Sequence, residues 1–424
     1  MSSFQYRGNR LYAEDVQIQE IADSVGTPCY IYSQTDIERR WREFDTGFGS
    51  HPHLVCYAVK ANSNLAILNL LARLGSGFDI VSIGELERVL AAGGDARKVV
   101  FSGVGKTEYE IKRALEVDIY CFNVESETEL YRIEKISSDM GKKAPISLRV
   151  NPDVSANTHP YIATGLEENK FGVPIDSASA LFQYAAESPS LEIKGVDCHI
   201  GSQLVEMSPY LDALDRILAL VDQLYTQDIE LSHIDMGGGV GICYQSESTI
   251  SPQTFSAALT EKIKDSKLKI LIEPGRAVVG NAGILLTRVE YLKKTPKKNF
   301  AIVDAAMNDL IRPSLYQAWQ AVNPELVRTD EPIEYDVVGP VCETGDFLAL
   351  NRHLSIREND LLAIGGAGAY GFVMSSNYNS RPRAAEILVL ENQYQIVRER
   401  ENIQSLFANE RTASFEIRSK KDSL

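Results

Sequence analysis

From about residue 54 to residue 282 the apolar positions of this chain fall into short β-type runs that alternate with longer stretches of helical period. The runs lie near 54–59, 78–81, 98–101, 119–122, 146–150, 193–198, 231–236 and 269–272, eight in all. Between them come amphipathic segments such as Leu65-Ala66-Ile67-Leu68-Asn69-Leu70-Leu71-Ala72-Arg73-Leu74, closed by Gly75, and Glu85-Leu86-Glu87-Arg88-Val89-Leu90-Ala91-Ala92, closed by Gly93-Gly94. Glycine takes the left-handed conformation that ends a helix, so each segment reads as a helix with its stop. Alternating strand and helix is the pattern of a parallel α/β fold, and eight units in ~220 residues fit a TIM (β/α)8 barrel better than a doubly wound sheet.

Beyond about residue 282 the helical alternation stops. Runs at 284–291, 300–303, 333–338 and 385–390 predict a second, all-β domain. The stretch Tyr6 to Tyr32 precedes the barrel and has the pattern to add a strand to it, with Gly26-Thr27-Pro28 as a turn. As domains, the chain divides into a barrel over 34–281 and a β-domain made of 1–33 with 282–424. Ser419-Lys420-Lys421-Asp422-Ser423-Leu424 reads as a solvated tail.

Composition narrows the function classes. A chain of 424 residues with 44% hydrophobic and 24% charged residues has the core of a globular protein of two domains. Its formal net charge of -15, with no concentrated basic patch, speaks against a nucleic-acid partner. The N-terminus opens no signal segment and no apolar stretch is long enough to span a bilayer, so the expectation is a cytoplasmic protein without a membrane partner. The six cysteines form no CxxC pair, and most sit in apolar runs, which suits reduced thiols and gives no metal site.

In such a barrel the reactive groups gather where the strands end. The ends carry Lys60, Asp79 and Ser82, Ser102, Asn123, Arg149 and Asn151, His199, Gly237-Gly238-Gly239, and Glu273. For the serines and asparagines a turn or helix-cap role is the preferred reading. Lys60 terminates a buried strand; a lysine there can form a Schiff base with an aldehyde once partial desolvation lowers its pKa. The glycines follow the seventh run, where backbone N–H groups can close on a phosphate, or simply make a tight turn. Glu273-Pro274-Gly275-Arg276 brings a carboxylate and a guanidinium into the same mouth, either as a structural ion pair or as a partner for a protonated ring nitrogen. His199 can stack on a flat cofactor and Ser202 can donate to phosphate, each with a structural role as the alternative. Aldehyde-binding lysine, phosphate cradle and ring-nitrogen partner together make a site for pyridoxal 5'-phosphate. In the β-rich half, the glycine-flanked loops around Cys342-Glu343 and Tyr370 add a thiol beside a carboxylate and a phenol.

Taken in order, Tyr57-Ala58-Val59-Lys60-Ala61-Asn62, Phe78-Asp79-Ile80-Val81-Ser82, Thr164-Gly165 with Lys170-Phe171-Gly172, His199-Ile200-Gly201-Ser202-Gln203, the triple glycine, Glu273-Pro274-Gly275-Arg276, Cys342-Glu343-Thr344 and Ser376-Asn377-Tyr378-Asn379 resemble the fold-type III pyridoxal-phosphate-dependent amino-acid decarboxylases over nearly the whole chain. Within them the resemblance is to the branch that acts on meso-diaminopimelate and forms lysine. It implies that Lys60 holds the cofactor covalently, that His199 stacks on its ring, and that Glu273 pairs with the ring nitrogen. Gly237, Gly238, Gly239 and Ser202 would receive the phosphate with help from Tyr370, the turn Pro274-Gly275 lying alongside. Cys342 would supply a proton. Arg276, Arg312 and Tyr316 match the pattern that holds a distal carboxylate, with Glu343 and Tyr370 also on the substrate; Arg312 as a brace of the β-domain is the alternative. The chain has Glu343 after the motif cysteine, where ornithine-type enzymes carry an aspartate, and Ala277 departs mildly from relatives with a larger or hydroxylated residue. The resemblance also implies a homodimer in which Cys342 and Glu343 reach the partner's site. Competing readings are a polyamine-pathway decarboxylase of the same fold, a catalytically silent cofactor-binding homologue, and a Schiff-base aldolase without cofactor.

Overall fold

The computed structural model describes residues 3–154 and 170–415; Thr164 and Gly165 of the motif set, and the tail at 419–424, lie outside them. Eight parallel strands close on themselves: His53–Ala58, Gly77–Ile80, Val99–Phe101, Cys121–Val124, Ala144–Asn151, Leu191–Asp197, His233–Asp235 and Lys269–Ile272. The closing pair is the last strand with the first, Leu271 opposite Leu54 and Ile272 opposite Val55. The chain is therefore a TIM barrel followed by a separate β-sheet domain. The fourth strand starts two residues later than the apolar run suggests, because Asp118 takes a left-handed φ of 55° and the chain is still turning before Cys121.

Helices fill the crossovers for the reasons the pattern implies. Leu65–Leu74 starts at Asn64, whose side chain accepts from the Ala66 N–H, and stops at Gly75 with φ 95°. Ile83–Ala91 is capped by Ser82, and Glu108–Glu116 carries a full capping box from Thr107 and Glu110. Their apolar faces pack on the barrel in one continuous core, in which Phe44, Phe255 and Tyr210 meet edge to face.

The β-domain is built around the long strand Gly283–Lys294, which pairs with Asn299–Val303, with Leu361–Ile364 and with Cys29–Ser33. The N-terminal strand lies in the β-domain sheet, between Gly283–Lys294 and Ala385–Leu390, and adds no strand to the barrel, although the stretch Tyr6 to Tyr32 had the pattern to do so. Its five residues are all buried, so it needs a sheet neighbour on each edge, and a closed barrel has no edge to offer. Two hydrogen bonds tie the β-domain to the turn that carries Lys60: the Tyr370 N–H donates to the Ala61 carbonyl at 2.8 Å, and the Asn62 side chain donates to the Gly368 carbonyl at 3.1 Å.

Candidate active site

The strand ends converge as the barrel geometry requires, but the side chains divide into three groups. Lys60 lies in the single turn Val59–Ala61 after the first strand, and its Nζ donates to Asp79 Oδ2 at 2.7 Å. Burial opposes its charge, yet Asp79 and Glu273 outweigh that and hold its pKa above the ordinary lysine value. This reverses the sequence expectation of a lysine made neutral by desolvation: a buried acid next door favours the charged form more than partial burial disfavours it.

The second group lies at the centre of the barrel. Carboxylate oxygens of Asp197, Asp235 and Glu273 all fall within 4.8 Å of one another. Arg149 reaches Asp197 at 3.8 Å and Glu125 at 2.9 Å. Burial first, then the neighbouring acids Asp79, Asp235 and Asp197, pushes Glu273 well above the usual carboxylate range. Its Oε1 accepts from Asn123 Nδ2 at 3.1 Å and Ser102 Oγ at 3.4 Å. Ser102 and Asn123 are therefore braces of Glu273 and not the turn or cap residues that the sequence pattern suggests, whereas Ser82 does cap a helix.

Around the glycines, the Gly237 N–H is used by Asp235 Oδ1 at 2.9 Å and the Gly238 N–H by His199 Nδ1 at 3.1 Å. Accepting that bond puts the His199 proton on Nε2, and burial together with Arg149 and Lys60 drives its pKa well below the ordinary value, so the ring is neutral. A Cβ at Gly238 would run into the Glu273 carbonyl and one at Gly239 into that of Gly201, so close backbone packing is what requires glycine at these two positions. Among the described residues no protein acceptor takes the N–H groups of Gly239, Gly275 or Arg276. Three unfilled donors beside Ser202, an amine on one flank and an over-acidic carboxylate centre on the other fit a phosphorylated pyridine aldehyde, whose ring nitrogen would bring the missing positive charge to Glu273.

Arg276 forms the third group and does not pair with Glu273 among the described residues. Its Nη1 donates to Tyr244 Oη at 2.6 Å and its Nη2 to Ser202 Oγ at 3.2 Å, while the guanidinium lies over the Tyr370 ring at 4.8 Å. Arg312 opens the short helix Arg312–Tyr316 of the β-domain and lies 5.8 Å from the Tyr244 ring and 5.5 Å from the Tyr316 ring. Burial, and then Arg276, lowers the Arg312 pKa below its ordinary value. Both arginines keep a buried Nε without a hydrogen-bond partner among the described residues. Two guanidiniums whose described neighbours are hydroxyls and aromatic rings make a receptor for a carboxylate. Tyr244, at the centre of this group, escaped the sequence reading; its signal was its place three residues past Gly241 in the loop that follows the glycines.

Cys342 and Glu343 are exposed in the β-domain loop. The Cys342 N–H donates to Asn379 Oδ1 at 3.0 Å and Tyr378 Oη donates to Glu343 at 3.0 Å, so two motifs 35 residues apart form one surface cluster. None of their described hydrogen bonds reaches Lys60, His199 or Arg276.

A lysine in the first barrel loop, a glycine turn after the seventh strand and a glutamate after the eighth are groups that a barrel site for pyridoxal phosphate can use. The model of the family "Pyridoxal-dependent decarboxylase, pyridoxal binding domain" matches residues 34–280. The diaminopimelate decarboxylase of Vibrio cholerae is 57% identical over 97% of this chain and 99% of its own length, and that of Pseudomonas aeruginosa is 58% identical with the same coverage. Among solved structures, Helicobacter pylori diaminopimelate decarboxylase complexed with L-lysine superposes with a TM-score of 0.89 at 43% identity, covering 93% of this chain and 99% of that one. The M. jannaschii enzyme in co-complex with L-lysine gives 0.92 at 34% identity, covering 97% and 98%. The chain belongs to the pyridoxal-dependent decarboxylases and, within them, to the diaminopimelate decarboxylase family. Its cofactor is pyridoxal 5'-phosphate.

Proposed function

We infer that this chain decarboxylates meso-2,6-diaminopimelate to L-lysine and carbon dioxide, the last step of lysine biosynthesis. The observation that carries the substrate is the pair Arg276 and Arg312, two guanidiniums around Tyr244 that have no carboxylate partner among the described residues. A substrate with a second carboxylate supplies one. The lysine complexes of the Helicobacter pylori and M. jannaschii enzymes support the same reading.

Bound pyridoxal phosphate supplies the electron sink into which the bond to the α-carboxylate breaks. With that cofactor in place, Lys60 would hold its aldehyde, the N–H groups of Gly239, Gly275 and Arg276 with Ser202 would hold its phosphate, His199 would pack against its ring, and Glu273 would serve its ring nitrogen. Asp79 keeps the Lys60 amine on the mouth side of the first strand. Arg276, Arg312 and Tyr316 grip the distal carboxylate, which fixes the scissile one by elimination of other poses. Glu343 meets the distal amine and Tyr370 closes over Arg276. The carbon left by carbon dioxide gains a proton, and Cys342 is the donor.

Cys342 and Glu343 act in a partner subunit's site, so the enzyme is a homodimer with shared sites. Support comes from their exposure, together with their separation from the described groups of their own mouth. The working division is a cofactor barrel at 34–281 and a β-domain of 1–33 with 282–424, in a cytoplasmic enzyme. Among the described residues no helix is long and apolar enough to cross a membrane. Carbon dioxide release from meso-diaminopimelate, set against ornithine and lysine, tests the reading: ready turnover of the first and little of the others is expected, and equal turnover of ornithine overturns it.

A further inference from the structure

We propose that Tyr244 is a specificity-determining residue of this site: its phenol holds the barrel's Arg276 and the β-domain's Arg312 at one spot and donates its own proton to the substrate's distal carboxylate. The proposal rests on the substrate assigned above.

Tyr244 sits on the loop after the seventh barrel strand, and its Oη accepts from Arg276 Nη1 at 2.6 Å. That bond uses a lone pair and leaves the phenolic proton, for which no acceptor is found among the described residues. Arg312 comes from the β-domain, and its guanidinium lies beside two rings, Tyr244 at 5.8 Å and Tyr316 at 5.5 Å, with no hydrogen-bond partner among the described residues. Two like charges repel, so something neutral must separate and aim them. An aromatic ring with a hydroxyl at its end does both: the face attracts one guanidinium and the oxygen bonds the other.

The position of Tyr244 is itself fixed from both sides. Its N–H donates to Glu247 Oε2 at 2.9 Å, as does the Gln245 N–H at 2.8 Å, which pins the loop. Its ring packs against the backbone of Gly366 in the β-domain, where a Cβ would approach the ring to 3.0 Å. Gly366 has φ 64°, so a side chain there is disfavoured twice over, by conformation and by space. The tyrosine therefore sits on the seam between domains, where packing against Gly366 accounts for its ring and leaves its hydroxyl to Arg276.

That separation gives the test. Tyr244→Phe keeps the ring against Gly366 and Arg312 and removes only the oxygen. In holoenzyme, binding is followed by the change in cofactor absorbance with two probes: L-lysine, which retains the carboxylate, and 1,5-diaminopentane, which lacks it. Tyr244→Phe is expected to weaken L-lysine about tenfold, the worth of a lost hydrogen bond to a charged group, while leaving 1,5-diaminopentane within about twofold. KM for meso-diaminopimelate rises by a similar factor with kcat changed less than about threefold. Unaltered selectivity between the two probes overturns the proposal, and so does a loss of cofactor colour or a fall in Tm that accompanies weaker binding of both, since that is a packing role. If the wild-type protein does not prefer L-lysine over 1,5-diaminopentane, the distal-carboxylate reading itself falls; if it does and Tyr244→Phe keeps the preference, only the role of Tyr244 falls.

Discussion

Glu273 and Glu343 are both carboxylates in turns near glycines, and the molecule treats them in opposite ways. Glu273 is 6% exposed, held by Ser102, just past the third strand, and by Asn123 of the fourth, and crowded by three buried aspartates. Glu343 stands in solvent with Tyr378 as its described side-chain partner, and Cys342 beside it is exposed too. A barrel mouth can fix charges within one chain because eight strand ends surround them. A loop on a sheet domain has one side only, and its groups become part of a dry site when another surface covers them. On the assignment proposed above, the cofactor's contacts are internal to the fold, whereas those for the distal amine and the proton wait on assembly.

The largest effect should come from the internal side. Lys60→Ala is expected to lower kcat by more than about 10³-fold and abolish the cofactor absorbance of the purified protein. Mixing that variant with Cys342→Ala subunits, with exchange verified, should restore part of the activity; no recovery would remove the contrast, because both groups would then serve one chain. Glu273→Gln removes the proposed ring-nitrogen partner and should cost about 10²-fold in kcat with the protein still folded. A loss below about threefold would mean that the acid cluster acts as packing alone. Arg312→Ala should raise KM for meso-diaminopimelate about 10- to 100-fold, the range of a charge-assisted bond, while cofactor colour persists. Loss of colour would instead make Arg312 a brace of the β-domain.

The smallest effect concerns stability away from the mouth. His233 is fully buried and its ring nitrogens have no hydrogen-bond partner among the described residues; burial, then Lys269 and Lys194, pushes its pKa down to about 3. Between the ordinary histidine value and that pKa the unfolded chain binds a proton that the fold does not. The contribution of this group is therefore full above about pH 6.5 and falls away as the pH drops toward 3. His233→Leu should flatten the acid limb of a Tm-against-pH curve relative to wild type, whatever it does to Tm at neutral pH. An unchanged acid limb would place the sensitivity in the carboxylates instead.

Much of this was readable in the chain because periodicity reports burial and burial decides strands. Eight apolar runs and their glycine stops led to the barrel, and the residues after each run led to Lys60, His199 and Glu273. What could not be read was who faces whom. Glu273 and Arg276 are three residues apart and look like a pair, yet the turn Pro274-Gly275 sends one to Asn123 and the other to Tyr244. The sign of the Lys60 shift depends on Asp79, 19 residues away, whose orientation no local pattern encodes. The strand Cys29–Ser33 joins the sheet of Gly283–Lys294 through pairings some 250 residues distant in the chain, which only tertiary structure reveals.

The bonds from Tyr370 to Ala61 and from Asn62 to Gly368 have a bearing on how such a protein can be recombined. The loop that follows the first barrel strand is finished by a turn encoded some three hundred residues later. A chimaera that exchanges the second domain between two relatives therefore has to carry the 368–370 turn in matching form, or Lys60 inherits a seat shaped for a different neighbour.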